Sequence, residues 1–170
     1  ADLRDRAVCA RACQGIEVVY HQGAVPSVPR SVAEPERTFE VNVVGTHGLL
    51  LAAREAGVRR VVQASSSSIY GDQPELPKHE GMRLHPRSPY AAQKASAELL
   101  GRAFSASMGQ QVVALRYFNV YGPRQNPKAA YAAVIAAFAD AALRGVAATI
   151  HGDGLQTRDF TYVSDVVAAN

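Results

Sequence analysis

The chain is 170 residues long, 48% apolar, with a formal net charge of +3 spread along its length. That is enough apolar material for one core of ordinary size, and the lack of any basic run excludes a nucleic-acid tail or a polybasic membrane patch. No apolar stretch reaches the roughly 20 residues that cross a bilayer, and the opening Ala1-Asp2-Leu3-Arg4-Asp5 lacks a signal-peptide layout, so a soluble cytoplasmic protein without nucleic-acid or membrane partners is expected.

In chain order, a short helix over about residues 5 to 13 carries the only cysteines, Cys9 and Cys13, one turn apart. With no ligand cluster near them they read as half-buried thiols, and the scattered His21, His47, His79, His85 and His151 give no metal site. Ile16 to Tyr20 is β-branched and lies between Gly15 and Gly23, the pattern of a strand. From Pro35 to Ala56 apolar groups recur at helical spacing (Phe39, Val43, Leu50, Ala53), with proline in the first turn and Gly57 as the stop, which predicts one long helix. Arg60 to Ala64 is a strand without alternation, as expected when both faces are covered, and it runs into Ser65-Ser66-Ser67-Ser68.

Residues 72 to 88 read as a loop rich in proline and charge. Ser88 then caps a helix that opens with Pro89, continues to about Met108 and ends at Gly109. Val112 to Arg116 is a further buried strand, and a loop through Asn119, Gly122 and Pro123 leads to a helix from about Ala130 to Arg144. Val146 to His151 and Thr157 to Thr161 look like short strands around Asp153-Gly154, a pair suited to a tight hairpin. Ser164 begins a last helix. This alternation predicts an α/β fold with a doubly wound parallel sheet, in which ligands sit beyond the carboxyl ends of the strands. The Ser65 to Ser68 cluster and Arg116-Tyr117-Phe118-Asn119 both fall at such ends. No Gly-x-Gly-x-x-Gly or Gly-x-x-Gly-x-x-Gly loop follows a strand, and the simplest expectation is a sheet truncated at its N-terminal side.

Tyr90 and Lys94 stand four apart in the opening turns of the helix that begins at Pro89, so their side chains share a face. An ammonium beside a phenol favours the phenolate, and the helix N-terminus acts in the same direction. A tyrosine tuned in this way exchanges protons with a hydroxyl or ketone, and a nearby serine can hydrogen-bond the same oxygen. Tyr-x-x-x-Lys alone is weak, since any amphipathic helix can contain it.

Its surroundings are more specific. Ala64-Ser65-Ser66-Ser67-Ser68-Ile69-Tyr70-Gly71-Asp72, Ser88-Pro89-Tyr90-Ala91-Ala92-Gln93-Lys94 and Leu115-Arg116-Tyr117-Phe118-Asn119-Val120-Tyr121-Gly122-Pro123 together resemble, in order and spacing, the extended short-chain dehydrogenase/reductase family. The resemblance covers nearly the whole chain and implies a Rossmann-like fold. Residues 1–125 would form a partial NAD-binding domain, and 126–170 the start of a nucleotide-sugar-binding region.

By resemblance the catalytic residues are Ser66, with Ser67 as an alternate, Tyr90 as acid/base, and Lys94, which holds the nicotinamide ribose and lowers the Tyr90 pKa. The implied cofactor wall comprises Asp2 near the adenine, Gly23 (usually alanine in the family) and Ala24 at a strand end, Asn42, Ala64, Ser65 and Tyr117; a structural role suits Asn42 equally well. Arg158 resembles the diphosphate-binding arginine, a planar cation fit for bidentate phosphate contacts. Asn119 resembles the phosphate-contacting asparagine, and Ser27, with Ser66, Ser67 and Tyr90, a sugar-contacting position. The block from Ala24 to Ser31 looks most like bacterial UDP-glucose and UDP-N-acetylglucosamine 4-epimerases.

The implied activity is NAD-dependent epimerisation of a UDP-sugar at C4 through a 4-keto intermediate. Dehydratases of the family need an Asp-Glu pair where Ser67 and Ser68 stand, which disfavours dehydration; a family reductase, or a fragment that binds without catalysing, is the alternative. The helices 35–56 and 89–108 resemble the pair that forms a four-helix homodimer interface.

Overall fold

The computed structural model describes residues 1–127, 134–150 and 152–170, which fall into two compact units, Ala1–Arg116 and Tyr117–Asn170. The boundary expected at 125/126 thus falls inside the second unit. In the first, helix α1 (Arg6–Cys13) is capped by Asp5, whose carboxylate accepts from the backbone N–H of Ala7 at 2.9 Å and of Val8 at 3.1 Å. Strand β1 (Val18–His21) pairs in parallel with β2 (Arg60–Ser66), from Val18 against Arg60 to His21 against Gln63. With β3 (Gln111–Tyr117) they form a sheet in the order β1-β2-β3.

Between β1 and β2 run α2 (Val28–Ala33), α3 (Pro35–Phe39), a π-helical turn (Glu40–Gly45) and α4 (Thr46–Glu55). The helix expected over 35–56 is therefore present with a widened turn at its centre. The wider turn rotates the faces of α3 relative to those of α4. Leu50 and Ala53 are fully buried as the spacing predicts, whereas Phe39, expected on the same stripe, is 48% exposed. Helix α5 (Pro89–Met108) has the expected bounds: the Ser88 hydroxyl accepts from the Ala91 N–H, and Gly109 closes it in the left-handed conformation.

The core lies where α1 and α4 meet each other and the sheet, with Leu49, Leu50, Ala53, Val58, Val61 and Phe104 at its centre. Cys9 and Cys13 belong to this core and are fully buried, not half-buried as expected, because both face α4. Burial raises both thiols above their usual pKa. At the end of β2 the chain turns through a short 3₁₀ segment (Ser67–Tyr70) into Gly71, which has φ +62°.

In the second unit, β4 (Asn119–Tyr121) pairs in parallel with β5 (Phe160–Tyr162), and helices α6 (Val134–Leu143) and α7 (Val163–Ala169) complete it. Three expectations are corrected here. Asn119 opens a strand and does not lie in a loop. Val146 to Ile150 is not a strand, and no hairpin forms around Asp153-Gly154, because β5 begins only at Phe160 and pairs in parallel with β4, an arrangement a two-residue turn cannot produce. The first residues of the helix expected from Ala130, and His151, lie outside the described residues. Among the described residues no helix is long and apolar enough to cross a membrane, and no cluster of His, Cys, Asp and Glu could hold a metal ion.

Candidate active site

The sheet brings the ends of β1 and β2 to one rim, and α5 starts there. Ser66 ends β2 and also caps the 3₁₀ turn beyond it: its Oγ accepts from the Ser68 N–H at 3.2 Å and lies 2.8 Å from the Ser68 hydroxyl. Tyr90, in the first turn of α5, has the Ser66 hydroxyl near enough to oppose the rise that burial gives its pKa. The two residues at the centre of the expected chemistry are thus brought together. Tyr90 is fixed from behind as well, because its backbone N–H donates to Ser31 Oγ at 2.9 Å, and the fully buried Ser31 hydroxyl donates to the Val28 carbonyl.

Lys94 sits one turn further along α5, is only 7% exposed, and donates to the Ala64 carbonyl of β2 at 2.9 Å. An ammonium has three donors. Two remain without an acceptor among the described residues. Burial pushes the Lys94 pKa down to about 8. The Tyr90 phenol is pushed up by burial, with the Ser66 hydroxyl pulling the other way. The expectation that Lys94 lowers the Tyr90 pKa is therefore not met: desolvation dominates both groups, and the ammonium is directed at a backbone carbonyl.

His21, at the end of β1, is buried beside this pair. Its Nε2 lies 2.8 Å from Thr46 Oγ1, and Thr46 in turn donates to the Asn42 carbonyl, so His21 Nε2 is the donor to Thr46. Burial first, and then the Lys94 charge, drive its pKa down to about 4, so the ring is neutral at pH 7. Asn42 comes inward from the π-helical turn. Its side chain accepts from the Val25 N–H at 2.7 Å and donates to the Val25 carbonyl at 3.3 Å and to Gln93 Oε1 at 2.9 Å. Gln93 reaches Thr38 at 3.0 Å. The side-chain contacts of Asn42 are thus those of a clamp between the β1–α2 loop and α5.

The hydroxyl of Ser65 is committed to Glu98 Oε2 at 2.9 Å. Glu98, 2% exposed on α5, is held bidentately by Arg116 of β3, at 2.7 and 3.1 Å. Burial alone would raise the Glu98 pKa, but the hydrogen bonds from Arg116 and Ser65 hold it below its usual value. Arg116 also donates to the Tyr70 hydroxyl at 3.0 Å and lies over the Tyr70 ring. Glu98, Gln93, Ser31, Ser68, His21 and Thr46 were not singled out for the site from the sequence. Gln93, Ser68 and Ser31 lie inside the recognised blocks, while Glu98 carries no local signal, because its partner Arg116 is 18 residues away.

Other candidates are occupied by local contacts. Asp2 is exposed and binds Arg4, which lowers its pKa to about 2, and Arg4 also bridges to Glu40. Gly23 lies against Leu3, whose δ-methyl stands 2.8 Å from where a β-carbon would be; the alanine usual at this position would press on that side chain. Ala24 and Ser67 are partly buried, and Ser27 caps α2 through the Arg30 N–H at 3.2 Å. In the second unit, Asn119 Nδ2 donates to the Asp159 carbonyl at 2.9 Å, which puts Asn119 next in space to the segment bearing the exposed Arg158. The Tyr117 hydroxyl pairs with the Asn170 side chain.

Comparison with known proteins agrees with this arrangement. The model of the NAD dependent epimerase/dehydratase family matches residues 1–170. A UDP-glucose 4-epimerase of Mycolicibacterium smegmatis is 46% identical over 154 residues, which is 90% of this chain and 49% of that protein. The solved UDP-N-acetylglucosamine 4-epimerase of Methanobrevibacter ruminantium, in complex with UDP-N-acetylmuramic acid, superposes with a TM-score of 0.95 at 45% identity, covering 100% of this chain and 55% of that one. The UDP-glucose 4-epimerase of Thermus thermophilus in complex with NAD gives 0.90 at 42% identity, covering 99% and 57%. The chain spans about half the length of the relatives it matches.

Proposed function

The chain belongs to the NAD-dependent epimerase/dehydratase family, and on that premise we propose that its Ser66, Tyr90 and Lys94 carry the proton-transfer machinery of a nucleotide-sugar 4-epimerase acting on a UDP-hexose or UDP-N-acetylhexosamine. The observation that carries the reading is the placement of Tyr90, in the first turn of α5, near Ser66 at the rim where β2 ends. Tyr90 removes the proton from the sugar 4-hydroxyl, and Ser66 hydrogen-bonds the same oxygen as it becomes a carbonyl. Bound NAD supplies reversible hydride transfer at that carbon. Hydride returned to the opposite face of that carbon, with Tyr90 giving the proton back to the oxygen, yields the epimer.

The residues fit the cofactor in one direct respect. Lys94 is a buried ammonium with two unused donors beside Tyr90, the donor set a ribose diol accepts from. Lys94 and Tyr90 would hold the nicotinamide ribose. Asp2, Gly23, Ala24, Asn42, Ala64, Ser65 and Tyr117 are proposed for the rest of the cofactor wall, the last five through backbone or packing where their polar side chains are already engaged. A positive charge held there would favour the Tyr90 phenolate over the phenol. Arg158 and Asn119 are proposed for the substrate diphosphate, and Ser27 and Ser67 for the sugar.

Ser67 and Ser68 supply no carboxylic acid or base, so the second chemistry in the family's name, elimination of water, lacks its acid and base here. A homodimer is supported by Phe39, Val44 and Leu99, exposed apolar side chains on α3, the π-helical turn and α5. A cytoplasmic location is part of the same proposal.

Incubation of the chain with NAD and either UDP-glucose or UDP-N-acetylglucosamine, followed by proton NMR of the anomeric region, tests the reading. The expected product is the C4 epimer, absent with Tyr90→Phe. A 4-keto-6-deoxy product would replace epimerisation with dehydration, and calorimetric NAD binding without turnover would favour a binding fragment.

A further inference from the structure

At the start of α5, Pro89 has no N–H, and those of Tyr90 and Ala91 find no carbonyl inside the helix. The Ser88 hydroxyl takes the Ala91 N–H at 3.1 Å, which leaves Tyr90 beyond the reach of the helix's own cap. Its N–H donates at 2.9 Å to Oγ of Ser31, 59 residues away in α2, and has no other acceptor among the described residues. Ser31 is fully buried, and its own proton goes to the Val28 carbonyl at 2.7 Å. Both bonds have fixed polarity, because an N–H can only donate and a carbonyl can only accept. Further along, α5 is anchored without Ser31: Gln93 is held by Thr38 at 3.0 Å and by Asn42 at 2.9 Å, and Glu98 by Arg116. What Ser31 alone holds is therefore the main chain of Tyr90.

We propose that Ser31 is a positioning residue for proton transfer: by holding the Tyr90 main chain, it sets where the phenol stands at the rim where β2 ends. The helix that carries Ser31 begins after its cap Ser27, one of the residues proposed for the sugar, and the Ser31 N–H donates to the Ser27 carbonyl at 3.0 Å. One six-residue helix thus joins a proposed sugar contact to the hold on Tyr90. Without the Ser31 hydroxyl the Tyr90 N–H is left unpaired, and the first turn of α5 opens more often while the rest of the helix stays in place. The effect on turnover rests on the proposed function; the hold on the main chain does not.

The test uses the whole chain labelled with nitrogen-15 and with carbon-13 at tyrosine Cζ, the Tyr90 Cζ resonance being assigned by Tyr90→Phe. Amide exchange and the Tyr90 titration need neither NAD nor sugar, so failure of the epimerase assay and failure of this inference are read separately. In Ser31→Ala the Tyr90 amide should exchange about 3- to 10-fold faster, the scale of one modest hydrogen bond, while those of Ala95 and Glu98 stay within about 2-fold. Burial holds the phenol above its usual pKa, and water admitted by a looser first turn should bring the midpoint down by roughly 0.3 to 1 unit. The kcat of the proposed epimerisation should fall about 3- to 10-fold, with KM for the UDP-sugar nearly unchanged. Ser31→Thr, which keeps the hydroxyl, should restore all three. If its methyl disturbs this buried site, Ser31→Cys, a weak acceptor of similar size, should lie between serine and alanine. An unaccelerated Tyr90 amide in Ser31→Ala, an acceleration shared equally by Ala95 and Glu98, a faster amide with an unmoved titration, or a loss confined to KM would overturn the proposal.

Discussion

The Lys94 ammonium donates to the Ala64 carbonyl at 2.9 Å while the lysine is only 7% exposed to solvent. A single carbonyl does not repay the hydration of an ammonium, and its pKa accordingly falls from 10.5 to about 8. Between those values the unfolded chain binds more protons than the folded one, so stability rises with pH across that window. Below pH 8 both states are charged and the full penalty is present. Lys94→Met should therefore stabilise the chain at pH 7 by about 1–3 kcal/mol while abolishing the proposed turnover. Urea unfolding at pH 7 and pH 9 checks this; the wild type gains stability between the two, and the variant does not.

His21 gives a slope of the same sign in a more acidic window. Its folded pKa of about 4 lies below the usual 6.5, so the unfolded chain takes up the proton first, and stability is lost as pH falls from 6.5 toward 4. At pH 5 this single group should cost about 2 kcal/mol relative to pH 7. His21→Gln, compared with wild type by urea unfolding at the two pH values, should remove that part of the acid sensitivity.

The Glu98–Arg116 pair is almost fully withdrawn from water, with side-chain exposures of 2% and 8%. Glu98→Ala leaves the Arg116 guanidinium buried without its counter-ion, and should cost about 3–5 kcal/mol in chemical denaturation. It also releases the Ser65 hydroxyl next to Ser66. A Glu98→Leu/Arg116→Met double variant should recover most of the stability, because the penalty lies in the stranded charge.

Gly71 follows the serine turn with φ +62° and ψ −144°, a conformation essentially reserved for glycine. A β-carbon there would collide with the His85 carbonyl oxygen, whose own residue donates its N–H to the Ile69 carbonyl at 2.8 Å. Gly71→Ala should therefore destabilise the chain by more than about 2 kcal/mol and misplace the turn that orients Ser66. Thermal unfolding and the Tyr90 titration together report both effects.

Tyr90→Phe and Ser66→Ala should each lower kcat of the proposed UDP-sugar epimerisation by about 10²- to 10⁴-fold with a smaller change in KM, as expected for groups acting mainly on proton transfer. Steady-state kinetics on the folded variants decides it. A loss in KM alone would assign them to sugar binding.

Local chemistry made several features readable from the sequence. Ser88, Pro89 and Gly109 bound α5 because a cap, a fixed φ and a left-handed stop act within one turn of chain. The unalternated apolar run after Arg60 marked β2 because both its faces are covered. Tyr90 and Lys94 were visible because a spacing of four puts two side chains on one helix face. The resemblance carried by the three blocks supplied Ser66 as their partner.

Only the tertiary structure decided what those residues experience. A π-helical turn, which no residue pattern announced, turns Asn42 inward and sends Phe39 out to solvent. Asp153-Gly154, which locally suits a hairpin, yields no such hairpin because β5 pairs in parallel with β4. The sequence rule that an ammonium one turn away acidifies a phenol gave way to desolvation, since burial acts on Tyr90 and Lys94 together and depends on every element packed around them. Hydrogen bonding and helix spacing are short-ranged along the chain and can be read from it; burial is a property of the whole packed unit and cannot.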